Sequence, residues 1–338
     1  MKKFNVAVVG ATGLVGREIL KILAERNFPI HNLKCFASSK SAGSFISYKD
    51  SQIKIQTITS GCFRDVDIAL VSIGSALSKK YSPQAVNEGA WVIDNSNAFR
   101  MQTDIRLIIP EINKEVINNK NNRLIANPNC STIQLLLPLK PIYDYCGIER
   151  IVVTTYQSVS GSGKKAVDEL KRQSLAILQK QKVKSAVYPH QIAFNCLPHI
   201  DIFLENGYSR EEMKLVNETR KILDDQNIGI TPTAVRVPVF IGHSEAVYIE
   251  TGENIALDKV KELLHKSPGV KVIDNLLKFE YPLAIDSKND DNVLVGRLRK
   301  DLAKENGINM WIVGNNLRKG AALNAVQIAE HLVRKNLV

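Results

Sequence analysis

The chain has 338 residues, 44% of them apolar and 23% charged, with a formal net charge of +11. That length and apolar supply exclude a small stapled scaffold and a disordered chain, and at about 150 residues per domain they point to two domains. The positive balance does not mark a nucleic-acid binder, because Lys40, Lys114, Lys171, Lys221 and Lys261 are scattered and no basic stripe is interleaved with aromatics.

Met1-Lys2-Lys3 and the apolar run after it outline a secretory signal, but Gly10, Gly13 and Gly16 interrupt the run and Arg17-Glu18 end it. The same stretch reads as a strand over 5–9, a glycine turn and a helix from Leu14. Leu14, Ile19, Ile22 and Leu23 lie on one face of that helix, with Arg17, Glu18, Lys21 and Glu25 away from it. A strand at 33–37 follows, then apolar runs at 68–73, 91–94 and 124–126 alternating with helical stretches such as 82–88. This alternation predicts a parallel, doubly wound, Rossmann-like sheet.

Beyond Cys130 the strands lengthen and alternate polar with apolar: 151–157, 234–240, 244–250, 293–299 and 310–313. They predict an α+β domain with a mixed sheet open on one face, a natural surface for a homodimer. Helices are expected at 164–179, 210–223, 257–264 and 321–334, and 180–185 reads as an exposed basic loop. The five cysteines (Cys35, Cys62, Cys130, Cys146, Cys196) include no CxxC pair, and no uncharged stretch approaches the roughly 20 residues of a membrane span. The expectation is a cytoplasmic protein without a membrane or nucleic-acid partner.

Gly10-Ala11-Thr12-Gly13-Leu14-Val15-Gly16 joins strand to helix. Glycines there let the backbone approach a pyrophosphate, and the helix N-terminus offers it free amides. NAD-specific domains carry an acid about 20 positions on, at the end of the second strand. Here the place reads Ala37-Ser38-Ser39-Lys40-Ser41-Ala42-Gly43, hydroxyls with one cation, which favours NADP. None of the nine tyrosines has a lysine four residues on, which sets short-chain dehydrogenases aside.

The strongest single site is 125–134, Ile-Ala-Asn-Pro-Asn-Cys-Ser-Thr-Ile-Gln. Pro128 biases Asn127 toward extended backbone and the apolar run after Ser131 begins a helix, so Cys130 is expected at a helix N-terminus, where dipole and free amides favour the nucleophilic thiolate. Cys35, Cys62 and Cys146 read as small buried apolar residues. Of six histidines, His31, His265 and His331 fall in surface helices or loops. His243 sits at the junction of two strands, suited to a proton shuttle held over a cleft. His190, Cys196, His199 and Asp201 match no recognised ligand spacing, so no metal is expected. Gln157-Ser158-Val159-Ser160-Gly161-Ser162-Gly163-Lys164 joins a strand to a helix and suits a second cofactor contact; it is not a Walker motif, which needs glycine at 158 and Ser or Thr at 165. Arg100, Lys214 and Arg236 are cations suited to an anionic substrate.

With these residues in hand, the chain closely resembles the aspartate-β-semialdehyde dehydrogenase family over essentially its whole length. GATGLVG, SSKSAG, DNSNAFRM, NPNCSTIQL, YQSVSGSG, FNCLPHID, SREEMK, RVPVFIGHSE and NNLRKGAALNA occur in the order the family shows. The resemblance implies an NADP-binding Rossmann domain over 1–129, to which the segment 317–338 returns, and a catalytic and dimerisation domain over 130–316. It implies NADPH-dependent reductive dephosphorylation of L-aspartyl-4-phosphate to the semialdehyde, on the route to lysine, diaminopimelate, threonine, methionine and isoleucine. Cys130 would be the nucleophile, His243 the acid/base, and Gln157 the residue orienting the thioester. Arg236 would bind the substrate carboxylate, Glu211 its amino group, and Arg100 and Lys214 its phosphate. Gly10, Thr12, Gly13, Leu14, Val15, Lys40, Ser41, Ser160, Gly161 and Asn316 would contact NADP, in a homodimer or tetramer. Many relatives carry Arg where Lys40 stands, so a two-pronged grip on the 2′-phosphate becomes a single cation. The nearest rival, N-acetyl-γ-glutamyl-phosphate reductase, has a cysteine motif resembling NPGCYxT, whereas here Asn129 and Ser131 flank Cys130 and SREEMK supplies a carboxylate for a free amino group. A non-catalytic NADP-binding sensor would be expected to lose Cys130, His243 or Gln157.

Overall fold

A computed structural model of the protein describes residues 2–118 and 122–338. The chain forms two compact units, Met1–Asn129 with Ala321–Val338, and Cys130–Gly320.

The first unit begins with β1 (Phe4–Val9), α1 (Leu14–Glu25), β2 (Ile30–Phe36), β3 (Phe45–Tyr48), β4 (Ser51–Gln56) and β5 (Ile68–Val71). It continues through α2 (Ser75–Asn87), β6 (Trp91–Asp94), β7 (Arg106–Leu107), α3 (Pro110–Asn113) and β8 (Leu124–Ala126). Its strands order as β3-β4-β2-β1-β5-β6-β8-β7, all pairs parallel except β3 with β4. The expected doubly wound sheet is therefore present, with an added antiparallel edge. That hairpin has only a short signature in the sequence, because it fully buries just Ile46 and Ile55. Helix α2 starts seven residues earlier than the predicted 82–88 stretch and carries Pro83 inside it. The core is a continuous apolar layer, Val6 and Val8 of β1 and Ile68 and Leu70 of β5 packing with Ile19, Ile22 and Leu23 of α1.

The second unit contains α4 (Cys130–Cys146), β9 (Ile148–Gln157), α5 (Lys164–Leu178), α6 (Arg210–Leu223), β10 (Gly229–Arg236) and β11 (His243–Thr251). After α7 (Leu257–Lys266) come β12 (Val270–Val272), β13 (Val293–Lys300) and β14 (Gly307–Gly314). The sheet order is β10-β9-β11-β14-β13-β12, parallel in its outermost pairs and antiparallel between them, the mixed sheet expected. Strand β10 stops at Arg236 rather than 240, because Pro238 has no N–H for the ladder, while Pro232 is accommodated because β10 is an edge. The odd residues of β11 from His243 to Thr251 are buried and its even residues from Ala246 onward half-exposed, so one sheet face packs inward. The other carries Val152, Tyr248, Asn309 and Trp311 on a cavity of about 780 Å³, with Trp311 against Tyr156 at 5.5 Å between ring centroids.

A turn of wide π geometry over Arg318–Ala322 leads into α8 (Leu323–Arg334), which belongs to the first unit. Asn324 Nδ2 donates to Ile108 O at 2.9 Å and Asn127 Oδ1 at 2.8 Å, and Arg26 grips Glu330 with two hydrogen bonds of 2.6 and 2.8 Å. Helix α8 also corrects one histidine: His331 is buried, on the face that carries Ile328 and Leu332, and burial lowers its pKa. Among the described residues no helix is long and apolar enough to cross a membrane.

Candidate active site

The dinucleotide turn is built as its glycines require. Gly10 has φ +87°, and a Cβ there would stand 2.1 Å from Ser72 O; a Cβ on Gly16 would stand 2.1 Å from Gly10 O. The turn is thus closed around bare backbone, and the N-cap of α1, Gly13, offers no side chain to occupy the helix amides. Beside it lies a cavity of about 530 Å³ lined by Gly10, Thr12, Gly13, Ser38, Ser39 and Tyr81, among others. Hydroxyls stand where an NAD-specific domain has its carboxylate, and Lys40 and Ser41 follow in a short 3-10 turn. These residues fit a dinucleotide. Arg100 is buried in the same unit, its Nη2 donating to Asn95 O at 2.8 Å.

In the second unit the sheet brings distant residues into one row. Arg236 pairs with Gln157 at the ends of β10 and β9, and His243 with Gly314 at the start of β11 and the end of β14. All three polar side chains of the row are buried. Cys130 is the first residue of α4, as its motif predicts. It is packed by Gly320, where a Cβ would come within 2.8 Å of Cys130 Cβ. The neighbouring Ser131 ties this helix start to the row, its Oγ accepting from Gln157 Nε2 at 3.0 Å. Among the other cysteines, burial pushes the Cys35 thiol up to about 11 and raises Cys62 and Cys146 as well, the behaviour of unreactive thiols.

Glu211 reaches the row from α6. Ser209 caps that helix through a capping box with Glu212, and Glu212 Oε1 also accepts from Ala234 N at 2.9 Å, pinning the first turn to β10. Held there, Glu211 Oε1 accepts from Gln157 Nε2 at 3.0 Å and its Oε2 from Lys214 Nζ at 2.8 Å. Lys214 also donates to Asp201 at 3.2 Å. The arrangement fixes the Gln157 amide between Ser131 and Glu211.

Arg236 is 4% exposed, and among the described residues no carboxylate forms an ion pair with it. Its Nη1 donates to Ser158 O at 2.7 Å, and its guanidinium carbon lies 6.0 Å from the centroid of the Tyr188 ring. A buried guanidinium without a counter-ion is costly, and an anionic ligand offsets that cost. Ser158 serves His243 as well: its main-chain N–H donates to Nδ1 at 3.0 Å, and its Oγ lies 3.1 Å from the same atom. Burial, and then the charge of Arg236, lower the His243 pKa to about 3, so the ring is neutral. Asn316 Oδ1 completes the loop network, accepting from Ser158 Oγ (3.1 Å), Ser160 Oγ (3.2 Å) and Gly242 N (3.0 Å). Gly161 leaves the His243 edge open, since a Cβ there would lie 3.4 Å from Nε2 and 3.0 Å from Arg236 Nη1.

The predicted residues thus fall into two sets. Cys130, Gln157, Ser160, Gly161, Glu211, Lys214, Arg236, His243 and Asn316 belong to the second unit, and Gly10, Thr12, Gly13, Leu14, Val15, Lys40, Ser41 and Arg100 to the first. Sequence reasoning missed the double role of the Ser158 main chain, which carries no side-chain signature. It also missed Gly320, whose spacing from Cys130 only the fold closes. Among the described residues no group of three or more His, Cys, Asp or Glu is arranged to hold a metal ion, and His199 instead stacks on Phe203 with centroids 4.5 Å apart.

Glu245, two residues after His243 on the same strand face, is wholly buried without a hydrogen-bond partner, and burial raises its pKa well above the ordinary 4.5. A raised folded pKa contributes stability below pH 4.5 that is lost as pH rises toward the folded value. Glu245→Gln, isosteric and not titrating, is therefore expected to gain on wild type by up to about 1.4 kcal/mol per pH unit above that point. Thermal unfolding of both proteins from pH 5 to 8 checks this; a stability difference that does not grow with pH would contradict it.

Residues 5–120 match the model of the semialdehyde dehydrogenase NAD binding domain, and residues 139–319 that of the semialdehyde dehydrogenase dimerisation domain. The chain is 52% identical to an aspartate-semialdehyde dehydrogenase of Legionella pneumophila over 100% of this chain and 98% of the relative. The crystal structure of aspartate semialdehyde dehydrogenase II from Vibrio cholerae, complexed with ASA, superposes with a TM-score of 0.96 at 47% identity, covering 99% of each chain. That of the Candida albicans enzyme with NADP superposes with a TM-score of 0.79 at 25% identity, covering 100% of both. With a relative this similar along its full length, and semialdehyde dehydrogenase domain models matching both parts of the chain, the chain belongs to the aspartate-semialdehyde dehydrogenase family.

Proposed function

We propose that the protein catalyses the NADPH-dependent reductive dephosphorylation of L-aspartyl-4-phosphate to L-aspartate 4-semialdehyde, in the biosynthesis of lysine, diaminopimelate, threonine, methionine and isoleucine. The observation that carries this reading is the pairing of binding groups around the catalytic row: a buried guanidinium, Arg236, with no carboxylate of its own, and a buried carboxylate, Glu211, beside Gln157. Together they complement an α-amino acid, carboxylate to Arg236 and ammonium to Glu211. An N-acetylated substrate has no ammonium for Glu211, which disfavours the N-acetylglutamyl reaction.

In this reading the Cys130 thiolate, favoured by the amides at the start of α4, attacks the acyl carbon. The C–S bond forms, the C–O bond to phosphate breaks, and a thioester remains on Cys130. Gln157 holds the acyl group through an amide already fixed by Ser131 and Glu211, Arg100 and Lys214 bind the phosphate, and His243 serves the reacting oxygen. Bound NADPH supplies the hydride that reduces the thioester. Thr12, Gly13, Leu14, Val15, Lys40 and Ser41, with Ser160, Gly161 and Asn316, are the proposed cofactor contacts; the hydroxyls and Lys40 favour NADP over NAD, and the Candida albicans relative holds NADP. The open sheet face of the second unit is the proposed homodimer surface, and the cytoplasm the proposed compartment.

The test is NADP reduction at 340 nm with L-aspartate semialdehyde and phosphate, N-acetylglutamate semialdehyde being run in parallel. Phosphate-dependent reduction with the first substrate alone is expected. Reduction with the second would assign the rival reaction, and silence with both, while NADPH still binds, would assign a sensor.

A further inference from the structure

Two glycines of the second unit make room for a side chain that the proposed reaction leaves unused. Gln134 lies in α4 one turn after Cys130 and is wholly buried. A helical side chain leans toward the N-terminus of its helix, so residue 134 covers the turn that begins at Cys130. A Cβ on Gly314, the last residue of β14, would stand 2.7 Å from Gln134 Cγ and 2.9 Å from its Nε2, too close to be housed. A Cβ on Gly320 would stand 2.8 Å from Cys130 Cβ and 3.3 Å from Gln134 Nε2. The space that Gly320 leaves is thus the gap between the thiol-bearing carbon and the amide.

Among the described residues neither Nε2 nor Oε1 of Gln134 has a hydrogen-bond partner. A buried amide unpaired at both ends is costly, and an apolar side chain of the same length would fill the place without that cost. Such an orphan beside a nucleophile stands ready for an acceptor that forms there.

We infer that Gln134 is a hydrogen-bond donor to the Cys130 thiolate: when the thiol ionises, rotation at the end of the side chain carries the amide nitrogen across the space beside Gly320 onto Sγ. An anionic sulfur only accepts, so the amide presents its nitrogen whichever way round it rests beforehand. A neutral thiol is a weak acceptor and holds the amide poorly. The thiolate takes a charge-assisted bond in a dry setting, where such a bond is strongest. Gln134 therefore adds a side-chain donor to the main-chain amides at the start of α4, and it favours the ionised form alone. The inference rests on Cys130 being the nucleophile of the reading above, and not on the substrate. The charged and titratable groups at this end of the unit are His243 and Glu245 of β11, Arg236 of β10, Glu211 of α6 and the buried Lys319 beside Gly320. None of them hydrogen-bonds to the Gln134 amide, and all are retained in the variants below.

The test is alkylation of Cys130 by iodoacetamide in the full-length protein without substrate, followed on the Cys130 peptide by mass spectrometry from pH 5 to 10. Wild type is compared with Gln134→Leu and with Gln134→Met, which is unbranched like glutamine. The thiolate sulfur displaces iodide, so the midpoint of the rate profile reports ionisation of Cys130 itself. The midpoint is expected to rise by about one to two pH units in both variants. Their thermal unfolding temperatures are expected to equal or exceed that of wild type, because an unpaired buried amide has been removed. An unmoved midpoint in either folded variant would overturn the inference. So would a lowered unfolding temperature, or failure to fold, in both, which would assign Gln134 to the packing of α4. The experiment reads no turnover, so an error in the assigned substrate would leave its outcome unchanged.

Discussion

Cys130→Ala is expected to reduce turnover by at least about 10⁴-fold, to the level of the uncatalysed reaction, while NADPH affinity stays unchanged. The size follows from what the thiolate does. In the proposed reaction it replaces one difficult step, hydride addition to an acyl phosphate, by two easier ones joined by a thioester, while Cys35, Cys62 and Cys146 have raised pKa values. Dinucleotide affinity is unaffected because the glycine turn is built from β1 and α1, not from α4. Steady-state rates and a fluorescence titration with NADPH check both halves. Residual activity within 100-fold of wild type would remove Cys130 from the chemistry.

The second large effect is expected at Arg236. Arg236→Leu removes the one cation in the buried row, leaving a substrate carboxylate to be desolvated without a partner. Losing one member of a buried, hydrogen-bonded charge pair costs about 3–5 kcal/mol, so kcat/KM is expected to fall about 10²–10³-fold or more. Arg236→Lys retains charge but not the planar fork that reaches Ser158 O and the substrate together, and should fall between the two. Because the Arg236 side chain also braces the Ser158 loop, alkylation of Cys130 by iodoacetamide serves as the fold control and should proceed as in wild type. If Arg236→Leu raises KM by less than tenfold at unchanged kcat, the carboxylate binds elsewhere.

Much of this was legible in the sequence, for reasons that can be named. The first strand, turn and helix announce themselves because the apolar period changes from a continuous run to 3.6 across three glycines, and α1 begins at Leu14 as that pattern requires. Helix α6 begins at Arg210 because Ser209 and Glu212 spell a capping box, and the structure contains both of its bonds. Cys130 at a helix start was readable from Pro128 and the apolar run after Ser131.

Other features depend on long-range placement. Ser158 reads as part of a glycine-rich loop, and only the approach of β11 to β9 shows that its peptide N–H meets His243 while its carbonyl meets Arg236. Lys214 reads as a free cation on a helix; the fold sets it between Glu211 and Asp201. The hairpin β3–β4 escaped because its alternation is brief and buries only Ile46 and Ile55, and His331 because a single histidine on an amphipathic helix does not declare its face.

The proposed reaction passes through a covalent thioester on Cys130, which rapid acid quenching captures. Enzyme mixed with L-aspartate semialdehyde and NADP without phosphate, quenched within the first turnover and digested, should yield an aspartyl adduct on the Cys130 peptide, equal in amount to the burst of NADPH and discharged when phosphate is added before the quench. A burst of NADPH with Cys130 unmodified, or with the adduct on another cysteine, would contradict the account.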